Sequence, residues 1–169
     1  MNRPETEEYA PYYDTYVSLI ADNGVMAELN EQAESLRAAV AGLPEERGTY
    51  AYAEGKWTIK ELLSHLIDGE RIFAYRILRI SRGDETPIEG FEQDDYIATS
   101  NANGRTFENL IGEFGLQRQA NLILVNNIDD ETAKLMGTAS GKPVSVRALT
   151  YIMAGHVKHH LRILNERYL

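Results

Sequence analysis

Apolar side chains recur every three or four positions along four separate stretches of this chain, and a helix is the element that gathers such positions on one face. Met26, Leu29, Ala33, Leu36 and Val40 mark a first helix over about residues 24–41, which "GLP" at 42–44 stops. The second opens at "TIKE", residues 58–61, where Thr58 and Glu61 have the spacing of a capping box, each side chain satisfying an orphan N–H of the helix start. Ile59, Leu62, Leu66, Phe73, Ile77 and Ile80 continue its stripe, and Gly83 is a natural stop. The third runs over about residues 106–126, with Phe107, Leu110, Ile111, Phe114, Leu122 and Val125 apolar and Gln117, Arg118 and Asn121 polar on or beside that face. The fourth runs from about Ser145 to Glu166 on Leu149, Ile152, Met153, Ile163 and Leu164.

A chain of 169 residues is one ordinary domain by length. Four such helices predict an all-α fold, a four-helix bundle spanning residues 1–169 as a single domain. Tyr9, Tyr12, Tyr13 and Tyr16 also fall at helical spacing. They predict a short N-terminal helical segment that packs its rings on the bundle, with one hydroxyl reaching a site as the alternative. The connection between the second and third helices, residues 83–105, is long for a compact domain and could cross from one end of the bundle to the other.

The chain has four histidines, and three of them stand in "GHVKHHLRIL", residues 155–164. His156 and His160 are one helical turn apart, about 5–6 Å on one face, a spacing that lets two imidazoles share one metal ion. His159 points elsewhere and is expected to be exposed. His65 lies on the stripe of the second helix, between Leu62 and Leu66. It sits six residues from Ile59 along that helix, and His160 six from Glu166 along the fourth, about 9 Å in each case at the helical rise per residue. The residues therefore share a level if the second and fourth helices run antiparallel. An up-down-down-up bundle makes them so, and it needs a long crossover between helices two and three, where the long connection lies. Three neutral imidazoles with an open fourth position make a catalytic type of metal site. Histidines hydrogen-bonded in the core are the plainer alternative.

Composition narrows the function classes. A formal charge of −9 gives no footprint for a nucleic-acid backbone or an anionic membrane surface. The chain has no cysteine, hence no disulfide, thiolate ligand or cysteine nucleophile. The first residues lack the apolar run of a signal peptide, and no stretch approaches a membrane span, so a cytoplasmic protein is expected. No phosphate-binding glycine loop or serine nucleophile motif is present. Asp68, three positions after His65, is a candidate acceptor for an imidazole N–H, or an acid on a solvated face. Arg118 is a candidate anion ligand, or half of a buried ion pair with Glu113 or Asp68. Gly155 would permit close approach of another element, and Trp57 would pack at the bundle end.

The stretches "EGKWTIKELLSHLIDGERIFAYRILRISRGD" (54–84) and "VSVRALTYIMAGHVKHHLRILNERYL" (144–169), with "YAPYYDTYVSLI" near the N-terminus, resemble the DinB/YfiT-like superfamily of metalloenzymes. That resemblance implies an up-down-down-up bundle with nickel or zinc held by three histidines, which here would be His65, His156 and His160. Relatives include transferases that use low-molecular-weight thiols, an isomerase, and proteins described as metal-dependent hydrolases. The implied function is a metal-dependent hydrolase or thiol S-transferase acting on a small-molecule substrate, with a homodimer as the implied assembly. A metal- or small-ligand-binding protein without catalysis is the alternative.

Overall fold

The computed structural model describes residues 1–169 and contains helices α1 (Asp14–Val17), α2 (Val25–Val40), α3 (Ile59–Ser81), α4 (Gln93–Thr99), α5 (Phe107–Asn126) and α6 (Val146–Ile163). Strands β1 (Met136–Ala139) and β2 (Lys142–Ser145) form an antiparallel hairpin just before α6. The long helices begin where side chains accept the first free N–H groups. Thr58 and Glu61 cap α3 reciprocally, at 3.1 and 2.8 Å, and Thr106 and Ser145 accept from Asn109 and Ala148.

Helices α2, α3, α5 and α6 form the bundle, and its core shows their directions. One buried cluster joins Val25 and Leu29 at the start of α2 to Phe73 and Ile77 in α3, Val125 at the end of α5, and Leu149 and Ile152 at the start of α6. The other joins Leu36 and Val40 to Ile59 and Leu62, Phe107 and Leu110, and Val157 and Leu164. Helices α2 and α6 therefore run one way and α3 and α5 the other: up, down, down, up. Each of these buried side chains contributes roughly 1.5–3 kcal/mol relative to exposure. No helix is long and apolar enough to cross a membrane.

Between the bundle helices the chain carries more structure than its periodicity suggests. The crossover holds α4, and the segment before α6 folds into β1–β2, a small exception to an otherwise all-α chain. Its turn places Ser140 and Gly141 at φ 51° and 70°, the left-handed pair that a two-residue hairpin requires. Ile88 in the crossover donates to Thr138 O and accepts from Ser140 N, each at 2.9 Å, which ties crossover to hairpin. The N-terminal segment is α-helical over α1, and short 3-10 helices at Thr6–Glu8 and Pro11–Tyr13 precede it. It lies directly on α6 at Gly155, where a Cβ would meet the Tyr16 carbonyl oxygen at 2.2 Å. At the other terminus the Tyr168 hydroxyl donates to the Trp57 carbonyl at 2.6 Å.

Candidate metal centre

Because α3 and α6 are antiparallel, His65 meets His156 and His160 at one level of the bundle. Each ring offers a nitrogen, and the three lie within 4.8 Å of one another. The His65 and His156 Nε2 atoms are 2.8 Å apart. All three rings are buried, at 4, 4 and 9 % exposure in chain order. Burial is the main force on their titration. It lowers His65 to about 4, against a weaker upward pull from Asp94, and lowers His160 to about 3, helped by the neighbouring imidazoles. His156 is pushed well below the ordinary histidine value for the same reasons. The rings are therefore neutral at pH 7, the state in which an imidazole nitrogen has a lone pair to give.

The donor set fits a borderline transition metal: imidazole suits zinc, nickel, copper and iron, and no carboxylate or thiolate competes. Nδ1 of His160 is buried with no hydrogen-bond partner. A buried polar atom left so costs about 1–3 kcal/mol unless something satisfies it. His65, His156 and His160 bring their nitrogens close enough that they would hold one ion between them, which would supply Lewis acidity.

Aromatic rings wall the triad. Trp57 stacks on His65 with ring centroids 4.6 Å apart, Phe73 lies 5.6 Å from His156, and Tyr16 lies 5.4 Å from His156. Gly69 makes room for the His156 ring, since a Cβ there would stand 3.0 Å from its Cε1. Two hollows open onto the triad. One, about 290 Å³, exposes His65 and His156 beside Tyr12, Tyr13, Tyr16 and Arg76. The other, about 270 Å³, exposes His160 beside Trp57 and Tyr168. Gln93 and Asp94, in the first turn of α4, border both. A larger hollow of about 590 Å³, between Arg71, Tyr75, Arg79 and Phe91, contains no histidine.

The structure thus brings His65, His156 and His160 together and leaves Asp68 apart. Asp68 makes no hydrogen bond to any of the rings. It borders a separate hollow with Ser64 and Arg105, and its nearest cation is Arg71 at 3.8 Å. His65 faces α6, whereas Asp68 faces the α4–α5 side. His159 is half-buried rather than exposed, because the N-terminal segment brings Tyr16 to 5.4 Å from its ring. Arg118 is buried and bound, but its partner is Glu70, at 2.9 and 2.6 Å, and not Glu113 or Asp68. Gln32 and the Leu29 carbonyl accept two further donors at 2.8 and 2.9 Å. Four of the five N–H donors of that guanidinium are thus used inside the bundle, and it borders neither hollow at the triad. Of the tyrosines, Tyr9 and Tyr16 are buried in the core and Tyr13 packs against it, whereas Tyr12 is exposed; Tyr12, Tyr13 and Tyr16 border the cavity.

Sequence reasoning missed Asp94, Gln93, Ser140 and Arg76. The first two sit in a connection that has no helical period of useful length, and Ser140 in a hairpin too short to read. Arg76 was legible: His65, Gly69, Phe73 and Arg76 step by four, four and three along one face of α3.

Comparisons with known proteins agree with this fold. The model of the DinB superfamily matches residues 28–164. A protein of Geobacillus thermodenitrificans named "Putative metal-dependent hydrolase" is 29% identical over 139 residues, covering 80% of this chain and 77% of its own. A protein of the same description from Geobacillus kaustophilus is 27% identical over 139 residues, with the same coverage of 80% and 77%. Among solved structures, YfiT from Bacillus subtilis superposes with a TM-score of 0.78 at 16% identity, over 85% of this chain and 83% of that one. It is described as "a probable metal-dependent hydrolase with an unusual four-helix bundle topology".

Proposed function

Since the chain belongs to the DinB superfamily, we propose that it is a metalloenzyme in which His65, His156 and His160 hold one divalent transition metal, zinc or nickel, against a small-molecule substrate. When bound, such an ion supplies Lewis acidity that makes water or a low-molecular-weight thiol nucleophilic near neutral pH. The single observation behind the reading is the convergence of three buried, neutral imidazoles beside hollows that a small molecule can enter. The description of the Geobacillus relatives as metal-dependent hydrolases supports the same class.

The chain's own residues have separable tasks in this reading. Trp57, Phe73 and Tyr16 exclude water from the flanks of the triad. Asp94 borders both hollows and its charge is felt at His65, so its carboxylate is the one placed to accept a proton from a nucleophile there. The chain has no cysteine, so no thiolate of its own competes with the external nucleophile. A homodimer belongs to the same proposal and rests on family likeness; light scattering that gives a monomer of 19.1 kDa across micromolar concentrations removes it.

The test is a two-armed screen of metal-loaded protein. Simple esters and amides are offered without thiol, and epoxides and halogenated aromatics with a panel of small thiols. Turnover in one arm, abolished by His156→Ala, is the expected result. Turnover that survives complete metal removal overturns the reading. A second reading, core histidines paired by hydrogen bond, draws on the 2.8 Å contact between His65 and His156. It requires that purified protein take up no metal.

A further inference from the structure

The buried basic side chains of this molecule are Lys60, Arg76 and Arg118. Lys60 pairs with Glu45 and Arg118 with Glu70, but Arg76, only 2% exposed, has no carboxylate partner. One of its terminal nitrogens donates to the Ser140 hydroxyl at 2.9 Å and to the Glu89 carbonyl at 3.3 Å. Its Nε is buried and donates to nothing. A guanidinium taken out of water without a counter-charge is a costly arrangement. It is tolerated most readily where a ligand brings the missing charge.

The location says which ligand. Arg76 stands between the larger hollow beside Tyr75 and Arg79 and the cavity of His65 and His156, and its partner Ser140 borders the latter. Arg76 follows His65, Gly69 and Phe73 on one face of α3. From His65 to Arg76 is 76 − 65 = 11 residues, about 16 Å between Cα atoms along the axis. Side chains on a helix lean toward its N-terminus, so the guanidinium lies nearer the triad than that. The cavity, about 290 Å³, suits a small molecule with two functional ends. Glu92 and Asp94 border the cavity too, on exposed positions. They oppose a polyanion and leave a compact single anion as the better fit. A carboxylate matches the guanidinium fork in shape as well as in charge.

We propose that Arg76 is the specificity-determining residue of this cavity: the small molecule that enters carries a carboxylate, which pairs with Arg76 while its other end faces the histidines. Ser140 is a positioning residue, delivered by the hairpin turn to hold the guanidinium in place. The proposal rests on the metalloenzyme reading only for the chemistry at the histidine end. Its test therefore runs on metal-free and zinc-loaded protein alike.

5-Hydroxypentanoate is the charged probe, with one carboxylate, and 1,5-pentanediol its uncharged counterpart. In nitrogen-15 spectra of the wild-type protein, the Arg76 Nε–H resonance, assigned by its loss in Arg76→Lys, shifts with the carboxylate and stays put with the diol. By calorimetry Arg76→Gln weakens 5-hydroxypentanoate at least about tenfold, and Arg76→Lys less. An Nε–H resonance unmoved by high millimolar 5-hydroxypentanoate, or equal affinity for it in wild type and a folded Arg76→Gln, overturns the proposal. Because the spectral arm needs no substitution in the measured sample, an unfolded Arg76→Gln does not blunt it. Failure of the protein to bind metal sinks the metalloenzyme reading without touching these outcomes.

Discussion

His65, His156 and His160 are kept neutral by burial, and this has consequences for metal and for acid. Neutral rings bind metal without first losing a proton, so protein purified without chelator is expected to carry close to one zinc or nickel ion per chain, measured by mass spectrometry of the digested metal. His65→Ala and His160→Ala should each lose it. His159→Ala should keep it, because that ring packs on Tyr16 and stands outside the triad. Full metal retention in His65→Ala would contradict the three-ligand arrangement. Acid acts on the same groups. The folded values of about 4 for His65 and about 3 for His160 lie below the ordinary 6.5, so the unfolded chain binds protons first. Stability in the metal-free protein is then whole above pH 6.5 and declines as pH falls from there toward 4 and 3. Urea melts at pH 7 and pH 5 should differ by on the order of 2 kcal/mol for each such histidine, with pH 5 the weaker. Equal midpoints at the two pH values would show that the rings are not buried neutral. Much of this site was legible as residues. His156 and His160 declare themselves by spacing, and His65 by its level on a second stripe. Arg76 carried a signal too, its place on the His65 face of α3, but an arginine on a helix ordinarily reads as a solvated one.

Two close contacts between elements decide where the helices sit. Gly155 lets the backbone at Tyr16 rest on α6, and a Cβ there would meet backbone carbonyl atoms at 2.2 and 2.5 Å. Alanine favours a helix over glycine by up to about 1 kcal/mol, which argues for stabilisation. The clash is with main chain, however, and no rotamer relieves it. Overpacking of this kind costs typically about 1–3 kcal/mol and here outweighs propensity. Gly155→Ala should therefore lower Tm by about 3–10 °C and expose the N-terminal segment to protease. An unchanged or raised Tm would mean that this segment detaches without cost. The second contact is the Arg118–Glu70 pair, 1% exposed on both sides, which with Gln32 and Asn121 joins α2, α3 and α5. Gln32 extends the network to α6 through the Ala154 carbonyl at 2.7 Å. Arg118→Met alone strands the Glu70 charge and should cost about 3–5 kcal/mol. Adding Glu70→Leu removes the stranded charge and should recover part of that loss in the same denaturant melt; a double variant no more stable than Arg118→Met would place the cost in packing alone. The sequence announced that Arg118 was buried, since it interrupts an apolar face, but could not choose Glu70. That choice depends on the lateral order of the helices, which local periodicity does not contain.

At the scale of the whole molecule, the up-down-down-up order was legible because two independent features required it: a crossover long enough to span the bundle, and histidines that share a level only if α3 and α6 are antiparallel. The contents of the connections were not legible, since α4 spans only Gln93–Thr99 and each strand is four residues long. Elements so short carry too few periods to stand out, and they form because the finished bundle offers them surfaces. Asp94 and Ser140 reach the cavity on those elements. The same architecture makes metal a clamp on the fold. The triad joins α3 to α6, and nothing in the unfolded chain holds those three rings together, so an ion that binds the folded state adds RT ln(1 + [L]/Kd) to its stability. At a free metal concentration about a thousandfold above Kd this amounts to about 4 kcal/mol. For a domain of 169 residues each kcal/mol moves Tm by about 2–4 °C, so chelator should lower Tm by about 8–16 °C. Added zinc or nickel should restore it, and should fail to do so in His156→Ala. A melting curve indifferent to chelator in protein shown to contain metal would place that metal outside the α3–α6 junction and remove the triad from its role.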